Sequence, residues 1–314
     1  MSVPYDKSGA VVALPIDIAE ATRSVAARRW LARADLGRDT LRLDPLRRIL
    51  GVLNLPCPEA GLGALRLWGQ TGDRPGVWIA AADPVYLEPR LDHLRLHALQ
   101  NSVPASELGA LLDHLQQTLV DDGDYGFARV GPCAYLRAER PVATADASPS
   151  AIDGRAPDAF MPTGTGVADY LRLCSEVEMA LHGHEVNERR EARGLPPVNG
   201  LWLWGGGVAP QAQTVPHPPL FGGDPLLRGH WLSRTAVVID WPGSIAACLE
   251  QSLAGFVAVV PEDEADSVDE RLLELRQYLA EGRVSRITLQ FADGVEARLT
   301  RSQAWRIWRR SIRV

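Results

Sequence analysis

The sequence predicts an α/β protein with a central, mostly parallel sheet, an inserted smaller lobe, and a C-terminal β-hairpin followed by a helix. Three observations predict it. Residues 236–240 and 256–260 are short apolar runs separated by a helical stretch at 245–253, the strand-helix-strand order of a parallel βαβ unit. Residues 198–204 are apolar on both alternating faces, Leu201 and Leu203 against Trp202 and Trp204, as in a strand covered on both sides. Residues 287–291 and 295–299 flank Ala292-Asp293-Gly294, a hairpin signal.

With 314 residues the chain can bury a large core and form two lobes. The expected division assigns 1–82 and 166–314 to the α/β core and 83–165 to an inserted α+β lobe ending in a flexible linker or lid. A net charge of -6 argues against general nucleic-acid binding. The four cysteines show no C-x-x-C spacing, which points away from a zinc ribbon or disulfide framework and toward a reducing cytoplasm. The apolar run near the start is interrupted by Pro15 and Asp17, too short for a membrane span. Lys7 is the only lysine, which argues against a P-loop or a Schiff-base enzyme.

Taken in order, residues 11–16 read as a strand, 19–34 as a helix and 41–50 as a short helix, while 53–76, rich in proline and glycine, read as loop with a little helix. A buried strand at 77–82 runs toward residue 87, with Asp83 at its end, where proline biases the backbone away from helix; a turn-capping role and a functional role are equally weighted there. Residues 94–96 form a strand, and Ser106 is the expected N-cap of a helix over 107–120. Asp121, Asp122 and Asp124 make an acidic turn that lacks the later ligands of a calcium loop. Strands follow at 125–127 and 134–137, then a linker or lid at 143–166 and one long helix over 167–193. Beyond the glycines, 208–225 is irregular and 263–282 is an amphipathic helix. The tail from Arg301 alternates tryptophan and arginine; packing of its tryptophans is preferred to a surface-binding role.

The densest set of candidate functional residues lies in HGHEVNERREARGLPPVNGLWLWGGG, residues 182–207. Gly194 supplies a left-handed helix stop, reinforced by Pro196 and Pro197. Gly205, Gly206 and Gly207 follow the strand, a position where a backbone can approach a bound anion closely. His182 and His184 stand two residues apart and diverge on a helix, which makes them poor joint metal ligands but leaves acid/base or hydrogen-bonding roles open. Arg189 pairs most simply with Glu185, whereas Arg193 is evenly divided between helix pairing and a forked contact to a phosphate or carboxylate. His217 and His230 lie in the stretch beyond the glycines, and Ser244 reads as an N-cap rather than a nucleophile.

These residues, together with AADPVYLEPRLDHLRL upstream, resemble the RpfE-type regulatory proteins of bacteria, over roughly residues 33–310. The asparagine, arginine and W-x-W-G-x-G pattern is also similar to the archaeal-type cofactor-independent phosphoglycerate mutases of the alkaline-phosphatase superfamily, mainly between Asp83 and Pro261. The second resemblance implies a sheet of the alkaline-phosphatase and phosphoglycerate-mutase type. It also implies two divalent metals held by aspartates and histidines, and a serine nucleophile near the start. The first histidine here is His93 and the last His230, and the acidic segment around Asp263 and Asp266 has no histidine beside it. Carboxylates without imidazoles depart from that two-metal chemistry.

The resulting expectation is a cytoplasmic, non-catalytic regulatory protein on a degenerate mutase-like scaffold, with no cofactor and no metal. It would bind a small anionic, phosphorylated or carboxylated, ligand or a protein partner. The expected ligand-binding residues are Asp83, His184, Asn187, Arg193, Asn199, Gly205, Gly206 and Gly207. The alternatives are a metal-dependent phosphoglycerate mutase or phosphomonoester hydrolase, and an interaction module working through the arginine-rich tail.

Overall fold

The computed structural model describes residues 9–39, 44–120, 123–252 and 255–306. The chain opens with β1 (Gly9–Ala13), α1 (Ile18–Ala21), α2 (Val25–Leu31), β2 (Asp35–Arg38) and α3 (Pro45–Leu53). Next come α4 (Leu62–Thr71), β3 (Trp78–Pro89), β4 (Leu94–Ala98), α5 (Ala105–Leu119), β5 (Tyr125–Val130), β6 (Cys133–Ala138), α6 (Val167–Leu181), α7 (Glu185–Ala192) and β7 (Gly200–Val208). The described chain then continues through β8 (Leu220–Phe221), α8 (Pro225–Ser233), β9 (Val238–Ile239), α9 (Ile245–Gln251), β10 (Phe256–Val259), α10 (Val268–Glu281), β11 (Arg286–Gln290) and β12 (Val295–Thr300). Two compact units result, Met1–Cys57 with Ala212–Val314, and Pro58–Gln211.

The first unit is built on a seven-stranded sheet in the order β2-β12-β11-β1-β10-β8-β9. From β11 to β9 every pairing is parallel, and only β12 and β2 add antiparallel pairings. The predicted mostly parallel α/β sheet is therefore present. On one face helices cover its strands: Val12, Phe256 and Ile287 share one core with Leu31 of α2, Leu249 of α9 and Leu275 of α10. The predicted βαβ unit exists as β9, α9 and β10 in one sheet, with β8 lying between its two strands. The predicted hairpin is β11–β12, with Leu289 opposite Ala297.

The second unit is an antiparallel sheet of five strands. Along β3, residues Trp78–Ala81 pair with β6 and Val85–Pro89 with β4, while β7 runs along Trp78–Val85 on the other edge. The strand expected at 198–204 is thus buried on both sides as read, with Leu201, Trp202, Leu203 and Trp204 all buried, yet it belongs to this sheet and not to the parallel one. Burial periodicity reports covering, not pairing direction.

Several boundaries differ from expectation for local reasons. The helix over 167–193 breaks into α6 and α7 at Gly183, whose φ is +69. The helix over 19–34 also divides, because the Ser24 side chain accepts from the Ala27 amide and starts α2 afresh. Residues 62–71, expected to be mainly loop, form α4, whose glycines hide a helical pattern that tertiary packing stabilises. The N-cap of α5 is Pro104 rather than Ser106. The linker expected at 143–166 is partly seated: Ala145 forms a parallel bridge to Trp204, and Ile152 is buried in a short 3-10 turn. β3 passes unbroken through Asp83, so the compact units divide at 57/58 and 211/212 instead of at 82/83 and 165/166. Asp121, Asp122 and residues 307–314, most of the stretch expected to form the tail helix, lie outside the described residues; 301–305 form a 3-10 turn. Among the described residues no helix is long and apolar enough to cross a membrane.

Candidate functional site

Asp83 lies inside the second unit, 2% exposed, on a strand whose neighbours bury it. Arg66, from the middle of α4, donates from Nη1 to both of its carboxylate oxygens at 2.7 and 2.9 Å. The indole Nε1 of Trp204 donates to the same carboxylate at 2.7 Å. Arg66 Nη2 also donates to the Ala134 carbonyl, and its guanidinium lies over the rings of Tyr135 and Trp204. Tyr135 donates onward to Gln70 of α4. Burial opposes the Arg66 charge, but the pull of Asp83, Tyr135 and Cys133 and the bonds to Asp83 outweigh it and hold its pKa above the ordinary value. Burial pushes the Tyr135 hydroxyl upward, so it stays protonated as a donor. The result is a fixed ion pair with both oxygens engaged.

The glycine run sits within β7 rather than beyond it. Between Trp204, opposite Ala81, and Gly207, opposite Ile79, β7 carries one extra residue, a bulge with Gly205 at φ +61. A Cβ on Gly205 would meet Leu62 Cβ at 2.7 Å, and one on Gly207 would meet the Gly61 amide nitrogen at 2.5 Å. On Gly206 it would strike the Trp78 ring and Thr144. The Gly61 amide donates to Gly206 O, and the Gly206 amide donates to Thr144 Oγ1. The close approach that glycine allows is thus used by the start of α4 and by the 144–147 segment.

Around α7, Asn187 and Arg190 are buried, while His182, Arg189 and Arg193 are exposed. Asn187 is buried; its amide donates to the carbonyls of Leu181 and Val198 at 3.0 and 2.9 Å, and its oxygen accepts from the Val198 amide. Asn199 exchanges two bonds with the Leu87 backbone and so extends the β3–β7 ladder by one rung through its side chain. His184 caps α7 by accepting from the Val186 amide and packs against His114, with ring centroids 4.9 Å apart; burial lowers its pKa. His182 is exposed after α6. Arg193 donates to Glu107 at 2.6 Å, and Arg189 to Glu185. Arg190, fully buried, donates to the other Glu107 oxygen at 2.8 Å and to Pro196 O. Burial disfavours the Glu107 charge, but bonds from Arg190 and Arg193 outweigh it and lower its pKa. Asp83 and the glycines therefore meet around α4, whereas His184, Asn187 and Arg193 meet around α7 and Asn199 lies beside Leu87. Arg66 and Glu107 were not singled out from sequence. A lone arginine in the apolar run Leu62–Thr71 was the available signal for the first.

In the first unit, His217 and His230 come together, with ring centroids 5.4 Å apart. Burial, then the neighbouring His217 and Arg234, lowers the His230 pKa to about 3. Ser244 is an N-cap, accepting from the Ala247 amide. Asp263 and Asp266 are exposed on a 3-10 turn, and Glu264 between them is tied to Trp241 and Arg271. Among the described residues no group of three or more His, Cys, Asp or Glu side chains is placed to hold a metal ion, so these residues do not fit the two-metal centre implied by the mutase resemblance.

No protein-family model matches the chain. A segment of 66 residues, 21% of the chain, is 39% identical to 16% of a 2,3-bisphosphoglycerate-independent phosphoglycerate mutase of Methanothermobacter thermautotrophicus. A second such mutase, from Methanosarcina acetivorans, is 30% identical over 103 residues, 31% of this chain and 25% of that one. A third, from Methanothrix thermoacetophila, is 29% identical over 119 residues, 36% of this chain and 30% of that one. Among solved structures, a cofactor-independent phosphoglycerate mutase of Thermoplasma acidophilum is similar with a TM-score of 0.40 and 18% identity, covering 94% of this chain and 90% of that one. A protein of Pyrococcus horikoshii gives 0.49 and 14%, covering 95% and 88%. The chain spans less than a third of the curated relatives' length in these matches, and it has weak homology to the cofactor-independent phosphoglycerate mutases.

Proposed function

We propose that this chain is a cytoplasmic regulatory protein of the RpfE type, without mutase activity, on a mutase-like scaffold, and that it recognises a small phosphorylated or carboxylated ligand or a protein partner. One observation carries the reading. The polar residues of the mutase-like pattern are spent on the protein itself: Asn187 and Asn199 on backbone, Arg193 on Glu107, and Asp83 on Arg66 and Trp204. A catalytic group needs a face turned toward substrate, whereas Asp83 and Asn187 are buried against neighbouring elements, Asn199 is bonded to the Leu87 backbone, and Arg193, half exposed, is tied to Glu107.

The rival reading is a metal-dependent phosphoglycerate mutase or phosphomonoester hydrolase, and the homology to mutases favours it. Purified full-length chain, assayed with 2- and 3-phosphoglycerate in the presence of magnesium or manganese, separates the two. No turnover is expected. Turnover with stoichiometric bound metal, abolished in Asp263→Asn/Asp266→Asn, would overturn the regulatory reading.

A further inference from the structure

Beside the amino end of β11 in the first unit lies a cavity of about 540 Å³. Its position follows from register: Thr300 in its wall pairs with Arg286, the first residue of β11, and Arg286 lies beside Gly9, the first residue of β1. In open α/β sheets catalytic ligands sit at the opposite, carboxyl ends. A ligand here would act away from the scaffold's usual catalytic edge, as an effector does.

The lining has a definite chemistry. Arg33, Arg276 and Arg301 are among its lining residues, and no carboxylate residue lines it. Arg301 spends one donor on the Ala280 carbonyl at 2.9 Å, and a guanidinium carries five N–H donors. Arg276 is exposed and has no hydrogen bond or ion pair among the described residues. The hydroxyls of Thr300 and Ser302 lie 3.0 Å apart on the same wall. The buried Trp30 supplies an aromatic surface beside them.

We propose that this cavity binds a phosphomonoester carrying a ring or short apolar body, the phosphate held by the arginines and hydroxyls and the body against Trp30. Forked guanidinium donors match a phosphate dianion, and the cavity size suits a small organic ligand. The assignment deepens the regulatory reading and rests on its ligand-binding half.

Calorimetric titration of the full chain with phenyl phosphate tests it, with phenol, inorganic phosphate and phenylacetate as separate arms. One-to-one binding of phenyl phosphate is expected, weakening as salt is raised, with each other probe about tenfold weaker or more. Arg276→Gln, a surface change, should weaken phenyl phosphate about tenfold while circular dichroism stays that of the parent. Absence of saturable binding to the full chain, unchanged affinity in Arg276→Gln, or phenylacetate binding as tightly as phenyl phosphate would each overturn the proposal. The turnover assay is scored independently. Phosphoglycerate turnover with Arg276-dependent binding intact removes the non-catalytic reading and leaves the pocket, whereas neither turnover nor binding removes the pocket and leaves that reading.

Discussion

Asp83 accepts from Arg66 and Trp204 in a setting where Arg66 is itself buried, so the energetic weight falls on keeping the pair complete. Removing one member strands the other charge away from water, at a cost of about 3–5 kcal/mol. Asp83→Ala should therefore lower unfolding free energy by that order in urea titration, and Asp83→Leu/Arg66→Met should recover much of the loss. A loss under about 1 kcal/mol in the single variant would show that water reaches the pair. Asp83 was legible from its position before a proline, but its role was not. A carboxylate looks the same in sequence whether it faces a ligand or an arginine 17 residues upstream. Asn187 and Asn199 share that ambiguity, because their partners at Leu181, Val198 and Leu87 are set by folding.

Glycines illustrate how the same residue acts differently in different elements. Gly183 separates α6 from α7 at φ +69 with open space around its Cβ position, so Gly183→Ala should cost only the backbone strain, about 1–2 kcal/mol. Gly206 sits in β7 where an added methyl strikes the Trp78 ring and Thr144. Gly206→Ala should displace the Trp78 ring or the 144–147 segment at a further cost of about 1–3 kcal/mol, read as a changed near-UV tryptophan spectrum and a lower urea midpoint. An unchanged near-UV spectrum with parent-like stability would mean that the segment at Thr144 yields freely. At this scale the strands and most helices were legible, since apolar alternation and the stops at Gly194 and Gly294 act locally. α4 was not. Its glycines lower helix propensity, and what compensates is burial of Leu62, Leu65 and Trp68 against strands that lie later in the chain.

The whole molecule divides into a discontinuous unit with a mostly parallel sheet and a contiguous one with an antiparallel sheet. All five strands of the second sheet come from Pro58–Gln211, and so does its core, which joins Leu111, Leu136, Tyr170 and Leu203. A fragment of residues 58–211 should therefore fold alone, with cooperative urea unfolding and a circular dichroism spectrum of mixed helix and sheet. A fragment that stays unfolded would show that the unit depends on the rest of the chain. Composition, hydrophobic period and turn residues were enough to establish an α/β chain, its parallel βαβ unit and its closing hairpin, because each depends on neighbours within a few dozen residues. Which sheet the Trp202–Trp204 strand joins, and which protein groups Asp83, Asn187, Arg193 and the glycines contact, only the tertiary structure decided. Those outcomes depend on contacts between distant segments, such as Asp83 with Trp204 or Glu107 with Arg193, and local periodicity carries no record of them.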